Sequence, residues 1–156
     1  MNKTIIRFWG CRGSFPSLDR NKMIYGGDTS CIEIQTCDNN TIILDMGTGL
    51  KRLGEKITNN SSYSKNINIF LSHYHLDHIH GFLMFAPLFN SNYTIKIYSR
   101  KSGDRGLQQI LEDFLQPEIW PVSLKDLSAN LEFIDMDENP ININQNTKVL
   151  DNLHAH

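Results

Sequence analysis

Between positions 71 and 81 the chain reads Leu-Ser-His-Tyr-His-Leu-Asp-His-Ile-His-Gly, which places four of its six histidines beside an aspartate. Neutral imidazole and carboxylate are the groups from which zinc, manganese and iron take nitrogen and oxygen ligands. A single histidine is more often a satisfied polar group than a ligand. His73, His75, Asp77 and His78 in H-x-H-x-D-H order form a set that surface polarity explains poorly. On an extended backbone the period of two sends His73 and His75 to one side, where both can reach one ion. Asp77 and His78 come where the chain turns toward a helix, so they suit a second ion, about 3.5 to 4 Å from the first in two-metal hydrolases. Asp77 is the member of the set expected to act in catalysis as well as in binding. His80 is left with either a supporting or a solvent-facing role.

Two further places bear on the same chemistry. Asp45, in Leu-Asp-Met-Gly-Thr-Gly, ends an apolar run. Capping of the next helix accounts for it, and so does accepting a hydrogen bond from a ligand histidine to fix its tautomer. Arg12 and Ser14 lie on a glycine-rich stretch with Gly10, Gly13, Gly26 and Gly27. They could donate to a phosphate, or simply hold a tight surface turn.

The elements that must position these residues change period along the chain. Residues 4–9, 31–36 and 41–46 read as strands, the last two joined by a turn at Asn39-Asn40. Leu50, Leu53 and Ile57 then fall at helical spacing over 48–57, and 66–71 is a strand that runs into the histidines. Residues 79–89 look helical and 94–98 extended. The helix over 106–116 has Leu107, Ile110, Leu111, Phe114 and Leu115 on one face, Asp104 to cap it and Pro117 after it. A capping box is expected at Ser123 to Asp126, with strands at 131–136 and 147–153. Strands first, then alternating helix and strand, predict one α/β (α+β) domain with helices packed outside a sheet.

Composition narrows the class of partner. Fifteen basic and seventeen acidic residues give a formal net charge of -2 without like-charge runs, so nothing advertises nucleic acid or an anionic membrane. No secretory signal is visible, and the apolar run at 82–89, broken by Pro87, falls far short of the roughly 20 residues of a membrane span. Cys11, Cys31 and Cys37 are odd in number and lack CxxC spacing. They read as small buried hydrophobes in a reducing cytoplasm.

The His-Tyr-His-Leu-Asp-His run, with the strand and the Leu-Asp-Met-Gly-Thr-Gly segment before it, resembles the signature of the metallo-β-lactamase-fold hydrolases. Gly10-Cys-Arg-Gly-Ser14 with Pro16, and Tyr25-Gly-Gly-Asp-Thr-Ser-Cys31, resemble the opening of their phosphodiesterase-like branch, which includes cyclic-phosphate phosphodiesterases and tRNA-processing endonuclease relatives. The likeness spans Arg7 to Gly81. It implies an αββα sandwich with two divalent metal ions, zinc first and manganese or iron as alternatives, that hydrolyses a small-molecule or nucleotide phosphodiester through a metal-activated hydroxide.

Carried over residue by residue, His73 and His75 would serve the first metal, Asp77 and His78 the second, with Asp45 in support. A third histidine for the first metal would be His156, with His154 as competitor. Asp28 stands where relatives usually have Asn, and Cys11 where they often have Thr or Ser. The family's later bridging aspartate, its final histidine and the second half of its sandwich have no counterpart. Residues 1–156 are therefore expected to be one domain, the N-terminal half of the sandwich, truncated at its C-terminus. Two rivals remain. His75, Asp77 and His156 also satisfy a 2-His-1-carboxylate set for non-haem iron. A half-sandwich could also be an inactive metal-binding fragment, its exposed sheet face favouring a homodimer.

Overall fold

Branched apolar residues at 42–44, 67–70 and 95–98 favour a pleated backbone, and they form the centre of a sheet. The computed structural model describes residues 3–22 and 24–151. Six strands lie side by side in chain order: β1 (Ile5–Gly10), β2 (Cys31–Gln35), β3 (Thr41–Leu44), β4 (Asn66–Phe70), β5 (Thr94–Ser99) and β6 (Asn130–Asp135). β1, β2 and β3 run antiparallel, and Asn39, with φ 65°, makes the turn between the last two. β3, β4, β5 and β6 are parallel, so each step between them needs a crossover. The crossovers contain α1 (Gly49–Thr58), the single turn α2 (Leu76–Ile79) and α3 (Leu107–Phe114).

Alternation along the strands separates two faces. Ile43, Ile67, Ile69, Ile95 and Ile97 meet Leu50, Leu53 and Ile57 of α1 and Leu107 and Leu111 of α3 in the main core. On the other face Ile42 joins Phe70 and Tyr98, whose rings stack at 4.4 Å. A short hairpin of β7 (Ile141–Asn142) and β8 (Lys148–Val149) lays Ile141 and Val149 against that second cluster. The architecture is thus mixed α/β, a six-stranded mixed sheet with three helices, as the order of patterns predicts. Among the described residues no helix is long and apolar enough to cross a membrane.

Several local expectations are corrected. The helix expected over 79–89 is broken: α2 ends at Ile79, and 3-10 turns follow at Phe82–Met84 and Ala86–Phe89. Gly81 is pressed so closely on the main chain of Gly47 that a Cβ there would overlap its carbonyl oxygen, and Pro87 removes an amide that a continuous helix would use. α3 is capped by Asp135 at the end of β6, whose Oδ1 accepts the Leu107 amide at 3.1 Å, rather than by Asp104. The strand at 147–153 shrinks to Lys148–Val149 within the described residues. The capping box at Ser123 and Asp126 is present and closes a 3-10 turn, Leu124–Asp126.

Of the cysteines only Cys31 is buried, and burial pushes its thiol far up; Cys11 and Cys37 are exposed, contrary to the expectation for all three. The core also holds a carboxylate that periodicity could not announce. Glu33 on β2 is fully buried and accepts from Tyr63 at 2.6 Å, Trp9 at 3.0 Å and Arg7 at 3.1 Å. Such pairing is what makes a buried charge tolerable.

Candidate metal centre

The cluster sits beyond the C-terminal ends of β3 and β4, the end of a parallel sheet where loops diverge and ligands commonly bind. β3 delivers Asp45 and β4 delivers Ser72 and His73. Asp45 takes φ 64°, a left-handed conformation that aspartate tolerates better than most residues, and its amide still bonds to Phe70 at the end of β4. The next residues are stitched beneath α2: Met46 donates to His78 O at 2.7 Å, and Gly81 donates to Met46 O at 2.8 Å. A Cβ at Gly47 would overlap the carbonyl oxygen of Asp77. The glycines of the Leu-Asp-Met-Gly segment and of the histidine run are therefore matched to each other, and their close approach fixes the turn that carries Asp77 and His78.

Asp45 is not the cap of α1; the residue before α1 is Thr48, whose hydroxyl accepts the Thr29 amide at 3.0 Å. The Asp45 carboxylate is buried and fully engaged. Oδ1 accepts the Ser72 amide at 2.9 Å and the Ser72 hydroxyl at 2.7 Å. Oδ2 accepts the Ser30 hydroxyl at 2.9 Å and lies 2.9 Å from Nδ1 of His78.

For neutral rings these bonds favour one tautomer. An acceptor-only carboxylate oxygen opposite Nδ1 of His78 places the proton on that nitrogen and leaves Nε2 with its lone pair. The Ser72 hydroxyl has one proton, given to Asp45, so its oxygen accepts from Nδ1 of His73 at 3.0 Å. Nε2 of His73 is thereby also a lone-pair donor. One aspartate sets both tautomers, the second through a serine that the sequence pattern did not single out.

The prepared nitrogens then meet the remaining members of the set. Nε2 of His73 lies 3.0 Å from Nδ1 of His75, their rings edge to face at 4.5 Å. Nε2 of His78 lies 3.4 Å from Oδ2 of Asp77, and the His73 and His78 rings are 4.1 Å apart. Two ligands bonded to one zinc at about 2.0 to 2.1 Å and a tetrahedral angle are separated by about 3.3 Å, so both pairs have the spacing of two corners of a coordination shell. The donor chemistry and the spacing within each pair are those of two ligands on one ion. Among the described residues no group of three or more His, Cys, Asp and Glu side chains is placed to hold a metal ion together. His154 and His156, the candidates for a third histidine, lie outside the described residues.

Asp77 is further held by the loop after β1. The Ser14 amide donates to Asp77 Oδ2 at 2.7 Å, with Ser14 at φ 67°. Burial pushes the Asp77 carboxyl up, but bonds from the Ser14 amide and from its own main chain, together with positive charge on the His78 and His73 rings when these are protonated, outweigh it and hold the group below the usual carboxylate range. Ser14 thus reaches the cluster through its main chain rather than its hydroxyl. Arg12, two residues earlier, is placed by a bond from its amide to Asp28 O and a bridge to Thr29. Asp28 accepts from Thr48 at 3.0 Å and pairs with Arg52 at 2.9 Å, so the carboxylate at this position ties the glycine-rich loop to α1. His80, exposed at the C-terminal end of α2, lines an apolar cavity.

Compared with protein-family models and with curated proteins, the chain matches none.

Proposed function

We propose that this chain is a metal-dependent hydrolase of the metallo-β-lactamase fold, acting on phosphodiesters at a centre for two divalent ions. The observation that carries the reading is the ordered set of four donors: two pairs at 3.0 and 3.4 Å, with the lone pairs of His73 and His78 fixed by Asp45 and Ser72. A surface tract of histidines has no reason to be backed by a buried carboxylate and a serine relay.

In this reading His73 and His75 hold one ion, and Asp77 and His78 hold the other. Ions bound there would bring the pKa of a shared water to near 7 and neutralise charge on a phosphoryl oxygen. Asp45 and Ser72 keep the two rings from rotating and, in the neutral rings, hold the proton on Nδ1. The Ser14 amide keeps Asp77 ionised and aimed. The loop carrying Arg12 and Ser14 borders the cluster, where an arginine side chain would complement a phosphodiester's charge. A formal net charge of -2 favours a small ester over a long polyanion. Three thiols suit a reducing, cytoplasmic setting.

The test is metal analysis of the protein as the cell makes it, purified without added metal, alongside cleavage of bis(p-nitrophenyl) phosphate. Zinc or manganese should be present, and His73→Ala and Asp77→Ala should each abolish turnover with the circular dichroism spectrum unchanged. Full turnover in either variant, or iron accompanied by oxygen consumption, would overturn the assignment.

A further inference from the structure

The two donor pairs are supported from different parts of the chain. His73 and His75 stand on the run that leaves β4, and the His73 ring leans on Ser72 of that same run at 3.0 Å. Asp77 and His78 are served from outside it. The loop that brings the Ser14 amide to Asp77 hangs on Asp28, whose carbonyl accepts the amides of Cys11 and Arg12, each at 3.1 Å. Two residues further on, the Ser30 hydroxyl donates to Oδ2 of Asp45 at 2.9 Å, and this is the oxygen that faces Nδ1 of His78.

The segment 28–30 is itself firmly held. Thr29 and Thr48 exchange amide-to-hydroxyl bonds at 3.0 and 2.8 Å, and Asp28 accepts the Thr48 hydroxyl at 3.0 Å. The Gly47 amide donates to the Ser30 carbonyl at 2.8 Å. Main-chain bonds therefore deliver the Ser30 hydroxyl to Asp45, and they persist when that hydroxyl is removed.

The two oxygens of Asp45 have different duties. Oδ1 accepts the amide and the hydroxyl of Ser72, while Oδ2 lies between His78 and Ser30. A carboxylate oxygen accepts two hydrogen bonds, so a donor beside the ring fixes where Oδ2 stands without displacing His78. The Ser72 oxygen is near both rings, 3.0 Å from Nδ1 of His73 and 3.3 Å from Nδ1 of His78. Ser30 meets the set through Oδ2, on the His78 side.

We propose that Ser30 is a positioning residue for the ion of Asp77 and His78, acting on the His78 ring through Oδ2 of Asp45 and leaving the ion of His73 and His75 undisturbed. The statement rests on the two-ion reading above. Partners behind a metal ligand contribute about 10- to 100-fold in affinity, and Ser30, one bond further out than Asp45, belongs at the lower end.

Zinc titration of the metal-stripped protein against a chromogenic chelator tests it. The parent should take up two ions, and Ser30→Ala should weaken one of them about tenfold and leave the other unchanged. A double-mutant cycle says which. In a His73→Ala background the remaining ion lies at Asp77 and His78, and Ser30→Ala should still weaken it about tenfold. In a His78→Ala background the remaining ion lies at His73 and His75, and Ser30→Ala should have no effect. Weakening of both ions, or an equal loss in the two backgrounds, would mean that Ser30 only holds the turn, and would overturn the proposal. Zinc uptake that ignores Ser30→Ala removes the role of Ser30 and keeps the metal centre, whereas a parent protein that takes up no zinc removes both.

Discussion

The hydroxyl of Ser72 joins Asp45 to His73, donating to Oδ1 at 2.7 Å and accepting from Nδ1 at 3.0 Å. His78 meets the same carboxylate directly at 2.9 Å. Removing this support leaves the ligand atoms in place but lets the rings rotate and exchange tautomers. Partners of this kind contribute about 10- to 100-fold in metal affinity. Asp45→Asn, which disturbs both histidines, should weaken zinc binding about 100-fold, and Ser72→Ala, which disturbs chiefly His73, about tenfold. Competition with a chromogenic chelator measures both, and equal affinities across the three proteins would refute the relay.

Gly81 and Gly47 cross with no room for a side chain. Because the neighbour is main chain and not a flexible side chain, Gly81→Ala must move a backbone segment, at a cost of about 3 kcal/mol. Gly13→Ala is the control, since a Cβ there meets nothing within 4 Å; it should change stability by no more than about 0.5 kcal/mol. Urea midpoints decide, and similar midpoints for the two variants would show that the crossing is looser than described.

Helix α3 should depend on a residue far from it in sequence. Asp135→Ala removes the carboxylate that accepts the Leu107 amide and should cost about 1 kcal/mol, whereas Asp104→Ala should fall within about 0.5 kcal/mol of the parent. Thermal unfolding of the pair tests the assignment, and the reverse ranking would restore the local cap.

Tyr63 makes stability sensitive to alkaline pH. Burial, then its hydrogen bond to Glu33 and the nearby charge, push its phenol well above the ordinary value near 10. The folded state therefore keeps a proton that the unfolded chain releases first. Tyr63 contributes its full stability below about pH 10 and loses it progressively as pH rises above that value. Tyr63→Phe should be less stable than the parent at pH 8, by about 1.5 to 3 kcal/mol for a bond to a charged acceptor, and should lose less between pH 9.5 and 11. Unfolding curves across that range check the sign; parallel losses in both proteins would exclude Tyr63 as the source.

Much of the fold is legible in the chain because its signals are local. The two-residue alternation at 66–70 and the three-to-four spacing of Leu50, Leu53 and Ile57 each report a face, and the elements follow to within a residue or two. The histidine run was equally visible, since its members are adjacent and their types are rare together. What could not be read depends on distance. The broken helix after Ile79 comes from contact with Gly47, the α3 cap comes from β6, and the Ser14 amide reaches Asp77 across 63 positions. Ser72 carries no distinguishing pattern, because serine before histidine is commonplace until the aspartate it bridges is known. Glu33 breaks the apolar rule for a buried strand position, and only its three partners explain it.

The arrangement of the four parallel strands has a wider consequence. Register and core packing are settled along their length, while Asp45, Ser72 and the four members of the histidine–aspartate cluster lie past the final residues of β3 and β4. Away from the Gly47–Gly81 crossing the rim can therefore accept altered side chains with little disturbance to what holds the molecule together. The cluster's side chains and the core's side chains alternate on the same two turns, so the exposed set can diverge while the buried set persists.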